Sequence, residues 1–260
     1  MNDDSGQLAG DIRWVDAHCH VDLFPDPRSI IRWADKEQVA ILAVTNAPSV
    51  FTEMTKLASA SKYVLPAIGL HPELAAERSS EIEMFRTLQR QTRFIGEIGL
   101  DGNPRIRHTL GIQRQVFESI LQASREAGGK VLSVHSRHAM RDVIAAIGTR
   151  SPGSVILHWF TGSLAVAEKA VASGCYFSIN QQMCSSRGFR SLLRLLPKDR
   201  VLTESDGPLA RTNGKPAHPG DVKAVVSMLA SSWDKTVDDA QKLIADNFRN
   251  CCDNPVTKGR

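Results

Sequence analysis

Imidazole and carboxylate side chains recur in this sequence at the points where short apolar runs end. The stretch WVDAHCHVD carries His18 and His20 two residues apart, a spacing that turns both imidazoles to one face of an extended strand. The other residues in such positions are His71, Glu97, His135, His158, Glu204 and Asp206. Imidazole nitrogen and carboxylate oxygen are donors that zinc, manganese and magnesium use in proteins. A fold that brings the ends of these apolar runs together would therefore place these side chains around a metal site.

The short apolar runs alternate with longer segments of helical period. The runs that we predict to be strands are residues 12–18, 39–45, 63–69, 93–99, 130–136, 154–160, 175–180 and 200–206. They are continuously apolar rather than alternating, which is typical of parallel strands covered on both faces. Between them, residues 108–128 place Val116, Ile120, Ala123 and Ala127 on one helical stripe. Eight strand–helix units predict an α/β fold, a closed (β/α)₈ TIM barrel in a single domain.

The carboxyl ends of barrel strands meet at one rim, where active sites of this fold are built. Taken singly, each of these polar residues also fits the role of a hydrogen-bonded loop residue. Together they concentrate imidazoles and carboxylates on one rim, which favours a metal site. Even four of these imidazoles and two of these carboxylates would exceed the three protein ligands of a catalytic zinc ion. The set is better suited to two divalent ions (Mg, Mn or Zn), with Glu97 placed to bridge them.

Composition and charge describe an ordinary globular chain. Its 260 residues are 42% hydrophobic and 23% charged, and a formal net charge of +4 permits a polyanionic partner without requiring one. The cysteines are odd in number and form no C-x-x-C pair, which favours reduced thiols and a cytoplasmic location: Cys19, Cys175, Cys184, Cys251 and Cys252. No signal peptide or membrane span is expected. We predict a flexible lead-in at 1–11, the barrel at 12–252 and a flexible tail at 253–260.

Two residues beside the predicted ligands could contact substrate. Arg137 lies two residues beyond His135, and a guanidinium can bind an anionic oxygen bidentately. The alternative for Arg137 is a solvated position at the start of a helix. Trp159 follows His158 and offers a flat face on which a base can stack. The alternative for Trp159 is packing at the barrel rim.

Six segments, in their order along the chain, resemble those of the TatD-like deoxyribonucleases. They are DAHCHVD, GLHPE, IGEIGLD, RQVFESILQASREAGGKVLSVHSRHA, HWFTGS and TESDGP. The likeness extends from about Trp14 to Phe248. The segments PDPRSII and GLHPELA are more similar to the branch found with the Qat anti-phage defence system.

This resemblance implies a TIM barrel of the metal-dependent hydrolase superfamily that cleaves phosphodiester bonds in DNA, commonly as an exonuclease. The family's metal-ligand positions correspond to His18, His20, Glu97, His135, His158 and Asp206. Glu97 stands where related amidohydrolases carry a carbamylated lysine. The chain departs from the family at Glu73, often a histidine, in GNPR after Asp101, and in GPLAR after Asp206. These departures concern substrate specificity rather than hydrolysis.

The expected mechanism is two-metal hydrolysis of a phosphodiester. Asp206 binds one ion and accepts a proton from water. Glu204 orients a ligand histidine, and His71 contacts the scissile or terminal phosphate. The expected partners are DNA, with single-stranded ends preferred, and proteins of a defence system, with no membrane association.

Two other functions are compatible with the sequence. The first is a hydrolase on the same scaffold that acts on an amide, a lactone or a small phosphoester. Basic loop residues, Arg187, Arg190, Arg194, Arg211 and Lys215, favour a polyanion instead. The second is a catalytically silent subunit that binds nucleic acid or serves as a scaffold in a defence complex, which the intact ligand set argues against.

Overall fold

The computed structural model describes residues 11–148 and 151–253. Eight parallel strands form the barrel: β1 Trp14–Cys19, β2 Val39–Val44, β3 Val64–Ala67, β4 Phe94–Gly99, β5 Lys130–His135, β6 Gly153–His158, β7 Tyr176–Ile179 and β8 Val201–Thr203. Each lies within or overlaps a predicted strand, and the predicted single-domain (β/α)₈ barrel is confirmed. The predictions for the terminal segments fall on residues 1–10 and 254–260, which lie outside the described residues, and on Asp11 and Asp253 beside them.

Helices cover the outside of the barrel. The helices of eight residues or more are α1 Pro27–Glu37, α2 Pro48–Ala58, α5 Leu110–Ala127, α6 Met140–Ile147, α7 Leu164–Ala172, α10 Val222–Trp233 and α11 Val237–Asp253. Shorter helices are α3 Ala75–Arg78, α4 Ile82–Leu88, α8 Gln181–Cys184 and α9 Phe189–Leu195. In the predicted stripe of α5, Val116, Ile120 and Ala123 are buried, whereas Ala127 is exposed because it lies at the end of the helix. Within the described residues, no helix has the length and apolar character needed to span a membrane.

Two ladders of strands close into a ring at two seams. Strands β1 to β3 form one ladder and β4 to β8 form the other. At the first seam, the Ile68 N–H donates to the Phe94 carbonyl at 3.1 Å. At the second, the Asp206 N–H donates to the His18 carbonyl at 3.0 Å. The first and last strands therefore bring residues almost 190 positions apart into contact, as in the Ser205 N–H bond to Asp16 at 2.8 Å.

Strands β6 and β8 end before the predicted positions because the backbone turns out of the ladder. Trp159 follows β6 with a φ of 40°, and Asp206 follows β8 with a φ of 52°. Both values lie in the left-handed region, which is uncommon for residues other than glycine and is enriched at functional sites. The turns aim residues after the strands across the mouth of the barrel.

The segment after β8 contains a small hairpin that the sequence analysis did not predict. Its strands are β9 Arg211–Thr212 and β10 Lys215–Pro216. Asn213 and Gly214 join them with φ values of 50° and 79°. Asn-Gly is the preferred pair for such a two-residue turn, because both central positions need positive φ. The local signal was therefore present in the sequence.

Candidate active site

The predicted site residues gather around one cavity at the carboxyl ends of the barrel strands. The cavity has a volume of about 590 Å³, and its lining includes His71, Glu97, His135, Arg137, His158 and Asp206. His18 and His20 are fully buried beside Glu97 and Asp206. Residues from six strands and the segments after them thus converge on a single volume.

His18, His20, Glu97 and Asp206 form the first of two donor groups. The Nε2 atoms of His18 and His20 lie 3.5 and 3.3 Å from Glu97 Oε2. The same nitrogens lie 3.8 and 3.6 Å from Asp206 Oδ1. Neither Nε2 atom has a hydrogen-bond partner, although both are buried. Four donor atoms therefore face a shared centre without bonding to one another.

This spacing fits a shared metal ion. Two donors at about 2.0–2.2 Å from one tetrahedral zinc ion lie about 3.3–3.6 Å apart. The four donor separations around Glu97 and Asp206 reach from 3.3 to 3.8 Å. A buried imidazole nitrogen without a partner is costly, and a divalent ion would satisfy it. The donor set, nitrogen and oxygen without sulfur, fits zinc, manganese or magnesium.

A hydrogen bond on the far side of the ring holds His18 in place. Its Nδ1 lies 2.7 Å from Ser133 Oγ on β5. When Nδ1 donates this bond, the lone pair of Nε2 remains free to bind a metal. The His18 ring also stacks on His158, with centroids 3.6 Å apart. Ser133 and His158 therefore fix the orientation of the ring.

The second donor group surrounds the other oxygen of Glu97. Oε1 lies 2.6 Å from His135 Nδ1, 3.4 Å from His71 Nε2 and 3.8 Å from His158 Nε2. His135 Nε2 lies 3.0 Å from Asp101 Oδ2. The two oxygens of one carboxylate thus face two sets of imidazoles, and His158 of the second set also lies close to His18 and Asp206 of the first. Glu97 occupies the centre of the site.

Glu204 contacts the back of His158 rather than the centre of the site. Its Oε2 lies 2.9 Å from His158 Nδ1 and accepts a bond from the Ser178 hydroxyl. Its Oε1 accepts from the Trp159 N–H at 3.1 Å and from the Asn180 amide at 2.8 Å. Each oxygen has two partners, so the carboxylate is firmly held. This geometry suits the orientation of His158.

The charges of the cluster shift the pKa values of its members. Burial lowers the pKa of His135, but its hydrogen bonds to Asp101 and Glu97 outweigh that effect and raise the pKa to about 9. Burial also lowers the pKa of His158, while the charge and hydrogen bond of Glu204 raise it to about 10. Burial raises the pKa of Asp206 to about 6, against the lowering effect of His158 and His20. Without metal, the cluster therefore holds protons that a divalent ion would displace.

Arg137 and Trp159 both line the cavity. Arg137 is exposed and forms no ion pair within the described residues. Its charge does lower the pKa of Asp101, although burial of that carboxyl acts in the opposite direction and the His135 bond contributes more. Trp159 is half-buried, and its ring lies edge-on to His158 with centroids 6.2 Å apart. The cation and the aromatic ring thus border the open side of the site.

The sequence analysis did not select several residues that hold the site together. They are Asp16, Asp101, Ser133, Ser178 and Asn180. Ser133 lies two residues before His135, and Ser178 lies two before Asn180. The two-residue period of strands could therefore have found Ser133 from His135, because alternate residues share a face, whereas β7 carried no predicted site residue from which to find Ser178. Asp101 closes the GEIGLD segment, where its position directly after β4 was the available signal.

Comparison with known proteins supports the family resemblance. The family profile described as TatD related DNase matches residues 15–253. Deoxyribonuclease TATDN3 of Homo sapiens is 30% identical over 219 residues, which cover 77% of this chain and 80% of that protein. An uncharacterized metal-dependent hydrolase of Methanocaldococcus jannaschii is 27% identical over 251 residues, with coverage of 93% and 96%.

Solved structures share the fold. The TatD homologue YjjV of Escherichia coli superposes with a TM-score of 0.81 at 22% identity, covering 93% of this chain and 98% of YjjV. A TatD family hydrolase of Entamoeba histolytica gives a TM-score of 0.78 at 13% identity, covering 92% of this chain and 97% of the other. With a family profile that matches nearly the whole barrel and a cluster of imidazoles and carboxylates at its rim, this chain belongs to the TatD family of metal-dependent hydrolases.

Proposed function

We propose that the protein hydrolyses phosphodiester bonds of DNA with the help of two divalent ions. The observation that supports this most is the position of Glu97, whose two oxygens face two sets of imidazoles. A carboxylate so placed can bridge two ions, which is how two-metal sites clamp a phosphoryl group. The proposal also draws on the name of the human relative, a deoxyribonuclease.

The ligands that we propose are those implied by the family resemblance. His18, His20, His135, His158 and Asp206 would hold the two ions, with Glu97 between the imidazoles that face its two oxygens. The ions would lower the pKa of water and neutralise charge on phosphate oxygens. Mg, Mn and Zn are all compatible with this donor set.

The protein's own residues supply proton transfer and phosphate contacts. Asp206 lines the cavity beside His18 and His20, where it can accept a proton from water. The Glu73 N–H donates to His71 Nδ1 at 3.1 Å, so the proton of the neutral ring lies on Nε2, toward the cavity. His71 can then donate a hydrogen bond to a phosphate oxygen. Arg137 can stabilise further negative charge there.

The shape of the site favours a single strand with a free end. Glu97 and Asp206 are buried, and the cavity of about 590 Å³ that they line is also lined by the half-buried Trp159 and the exposed Arg137. A phosphate must enter this cavity to reach Glu97, which a flexible strand end does more readily than an intact duplex. Trp159 offers a face for stacking an unpaired base. We therefore propose exonuclease action on single-stranded ends.

Metal analysis combined with digestion of end-labelled single-stranded DNA tests this function. The purified protein is expected to contain divalent metal and to shorten the DNA progressively, and a chelator should stop the reaction. The variant Asp206→Asn should retain the fold, judged by circular dichroism, and lose metal-dependent cleavage. Full activity in Asp206→Asn would refute its assigned role.

The same preparation separates the two alternative functions. Cleavage of amide, lactone or small phosphoester substrates with no cleavage of DNA would favour a different hydrolase on this scaffold. Absence of both metal and hydrolase activity would favour a silent subunit that binds nucleic acid or serves as a scaffold.

For the biological setting, we propose a cytoplasmic protein that acts in anti-phage defence. All five cysteines are free thiols, which suits a reducing compartment. The defence role is supported by the likeness of PDPRSII and GLHPELA to the Qat-associated branch. Plating of phage on cells that carry the wild-type gene or Asp206→Asn tests it, and equal plaque numbers on both would speak against it.

A further inference from the structure

Charge is unevenly distributed over the segments that follow the eight strands. We call the segments after β1, β2 and β3 the acidic arc, residues 20–26, 45–47 and 68–74, and those after β4 to β8 the basic arc, residues 100–109, 136–139, 159–163, 180–188 and 204–221. The acidic arc contains no lysine or arginine, and its acids are Asp22, Glu73 and Asp26, of which Asp26 pairs with Arg32 of α1 at 3.7 Å. The basic arc contains Arg105, Arg107, Arg137, Arg187, Arg211 and Lys215, all exposed. The rim is therefore divided into two sides of opposite charge.

The acids of the basic arc do not offset these cations at the surface. Asp101, Glu204 and Asp206 are buried in the site, and Asp221 accepts a bond from the His218 N–H at 2.9 Å. None of the six cations forms an ion pair with another described residue. Some basic residues on the outer wall do form ion pairs, for example Arg114 with Asp142 at 2.7 Å. The cations of the rim are thus available to a polyanion.

The hairpin β9–β10 attaches two of these cations directly to the site. The Ala210 N–H donates to the Asp206 carbonyl at 2.8 Å, and the Ala217 N–H donates to the Ala210 carbonyl at 2.9 Å. The Gln182 amide donates to the Arg211 carbonyl at 3.1 Å, which ties the hairpin to the segment after β7. The hairpin is therefore held beside Asp206 and presents Arg211 and Lys215 to solvent.

An apolar side chain lies between the hairpin and the cavity. Leu209 is 57% exposed and lines the cavity together with Trp159. An unpaired strand can bind here with its phosphates on the cations and its bases on the exposed Leu209 and on the aromatic face of the half-buried Trp159. Glu73, which lines the same cavity from the acidic arc, is exposed and repels phosphate.

From this distribution we infer that a single-stranded nucleic acid leaves the site across the basic arc, over the hairpin. Glu73 and the acidic arc close the opposite direction, so the strand extends to one side of the bound phosphate only. A path of this kind selects strand ends over internal positions. The inference rests on the proposed nuclease function and adds the location of the strand beyond the scissile phosphate.

Binding of fluorescent oligothymidylates of several lengths, in chelator to prevent cleavage, tests the strand path. Each phosphate contact contributes about 0.7 to the slope of log K against log salt for single strands. Arg211→Ala/Lys215→Ala should therefore reduce the slope by about 1.4 and weaken binding of long strands by on the order of tenfold. The loss of affinity should be smaller for dinucleotides, because they are too short to reach the hairpin.

Matched variants control for net charge and for folding. Arg90→Ala/Lys235→Ala removes the same charge from exposed positions at the opposite end of the barrel and should leave binding and cleavage unchanged. The Lys215 side chain makes no hydrogen bond to a described residue, so its removal should not disturb the hairpin. Lys215→Ala alone should therefore give about half of the slope change. Glu73→Gln removes a repulsive charge and should strengthen binding about twofold.

The outcomes distinguish this inference from the proposed function. If the wild type cleaves single-stranded DNA but Arg211→Ala/Lys215→Ala binds like the control pair, the strand path is wrong and the nuclease function stands. Glu73→Gln that binds no more tightly than the wild type also overturns the strand path. If the wild type neither binds nor cleaves single-stranded DNA, both proposals are wrong.

Discussion

Glu97 and Glu204 are both buried glutamates, yet their neighbours give them different tasks. Glu97 faces five imidazoles across the centre of the site, and burial, which would raise its pKa, is outweighed by His71 and His18, so that the pKa lies well below its usual range. Glu204 is bonded to His158, Trp159, Ser178 and Asn180 and does not face the centre. The ionised carboxylate of Glu97 therefore provides negative charge at the place where metal ions would bind.

Replacement of Glu204 by glutamine should impair the metal site while preserving the packing. The glutamine amide would donate to His158 Nδ1, which moves the ring proton to Nε2 and removes the lone pair on the side of Glu97. Removal of such a supporting group typically costs 10–100-fold in metal affinity or activity. We expect a loss of about that size in metal affinity, measured by titration calorimetry, and in cleavage rate.

Glu118→Gln is a matched control for this variant, because Glu118 is exposed on α5, far from His158. It should behave as the wild type. Glu204→Gln with wild-type metal content and wild-type cleavage would show that His158 does not need the carboxylate.

At the scale of elements, close packing at Gly69 brings three strands together below the site. A Cβ atom at Gly69 would lie 2.2 Å from the Thr45 carbonyl oxygen and 2.3 Å from the Glu97 nitrogen. Both neighbours are backbone atoms of β2's end and of β4, so neither can move independently of its strand. The position of Glu97 therefore depends on the absence of a side chain at residue 69.

Gly69→Ala should lower both stability and activity. Overpacking of this kind typically costs about 1–3 kcal/mol in the free energy of unfolding, and relief of the clash would displace Glu97. Urea denaturation and cleavage assays measure the two effects. Gly111→Ala is the control, since nothing lies within 4 Å of a Cβ atom there and alanine favours helix α5 by up to about 1 kcal/mol. Equal stability of the two variants would contradict the packing shown at Gly69.

At the scale of the whole molecule, the buried carboxyl of Asp16 joins the first strand to the segment after the last. Asp16 accepts bonds from the Ser205 N–H at 2.8 Å and from the Ser205 hydroxyl at 2.5 Å. Burial raises the pKa of Asp16 from 3.8 to about 8, although the bonds from Ser205 and His18 act in the opposite direction. The first strand and the segment after the last are thus joined in part by a group that titrates.

This shift predicts how stability varies with pH. Because the folded pKa lies above the unfolded one, the folded state binds more protons between about pH 4 and pH 8. The contribution of Asp16 is fully present below pH 3.8 and is lost as the pH rises through 8. Relative to Asp16→Asn, whose amide does not titrate, the chelator-treated wild type should lose stability from about pH 5 to pH 8. Urea denaturation across this range measures the stability of both proteins. A wild type that becomes more stable relative to Asp16→Asn as the pH rises would contradict the predicted protonation.

The sequence by itself determined the elements and the types of residue at their ends. Apolar runs and helical stripes are local signals, so they located eight strands, and with them the positions of His18, Glu97, His135 and Asp206. The ends of some strands were wrong, because the turns at Trp159 and Asp206 depend on bonds to distant residues, such as Glu204 and His18.

Only the tertiary structure decided which atoms meet. The bonds of Asp101 with His135, of Ser133 with His18, and of Asp16 with Ser205 join residues on different strands or on segments far apart in the chain. Side-chain period fixes the face on which a residue lies, but the partner across the barrel depends on the register of strands that are not adjacent in sequence. The division of the rim into an acidic and a basic arc arose in the same way, because it required the circular order of the strands.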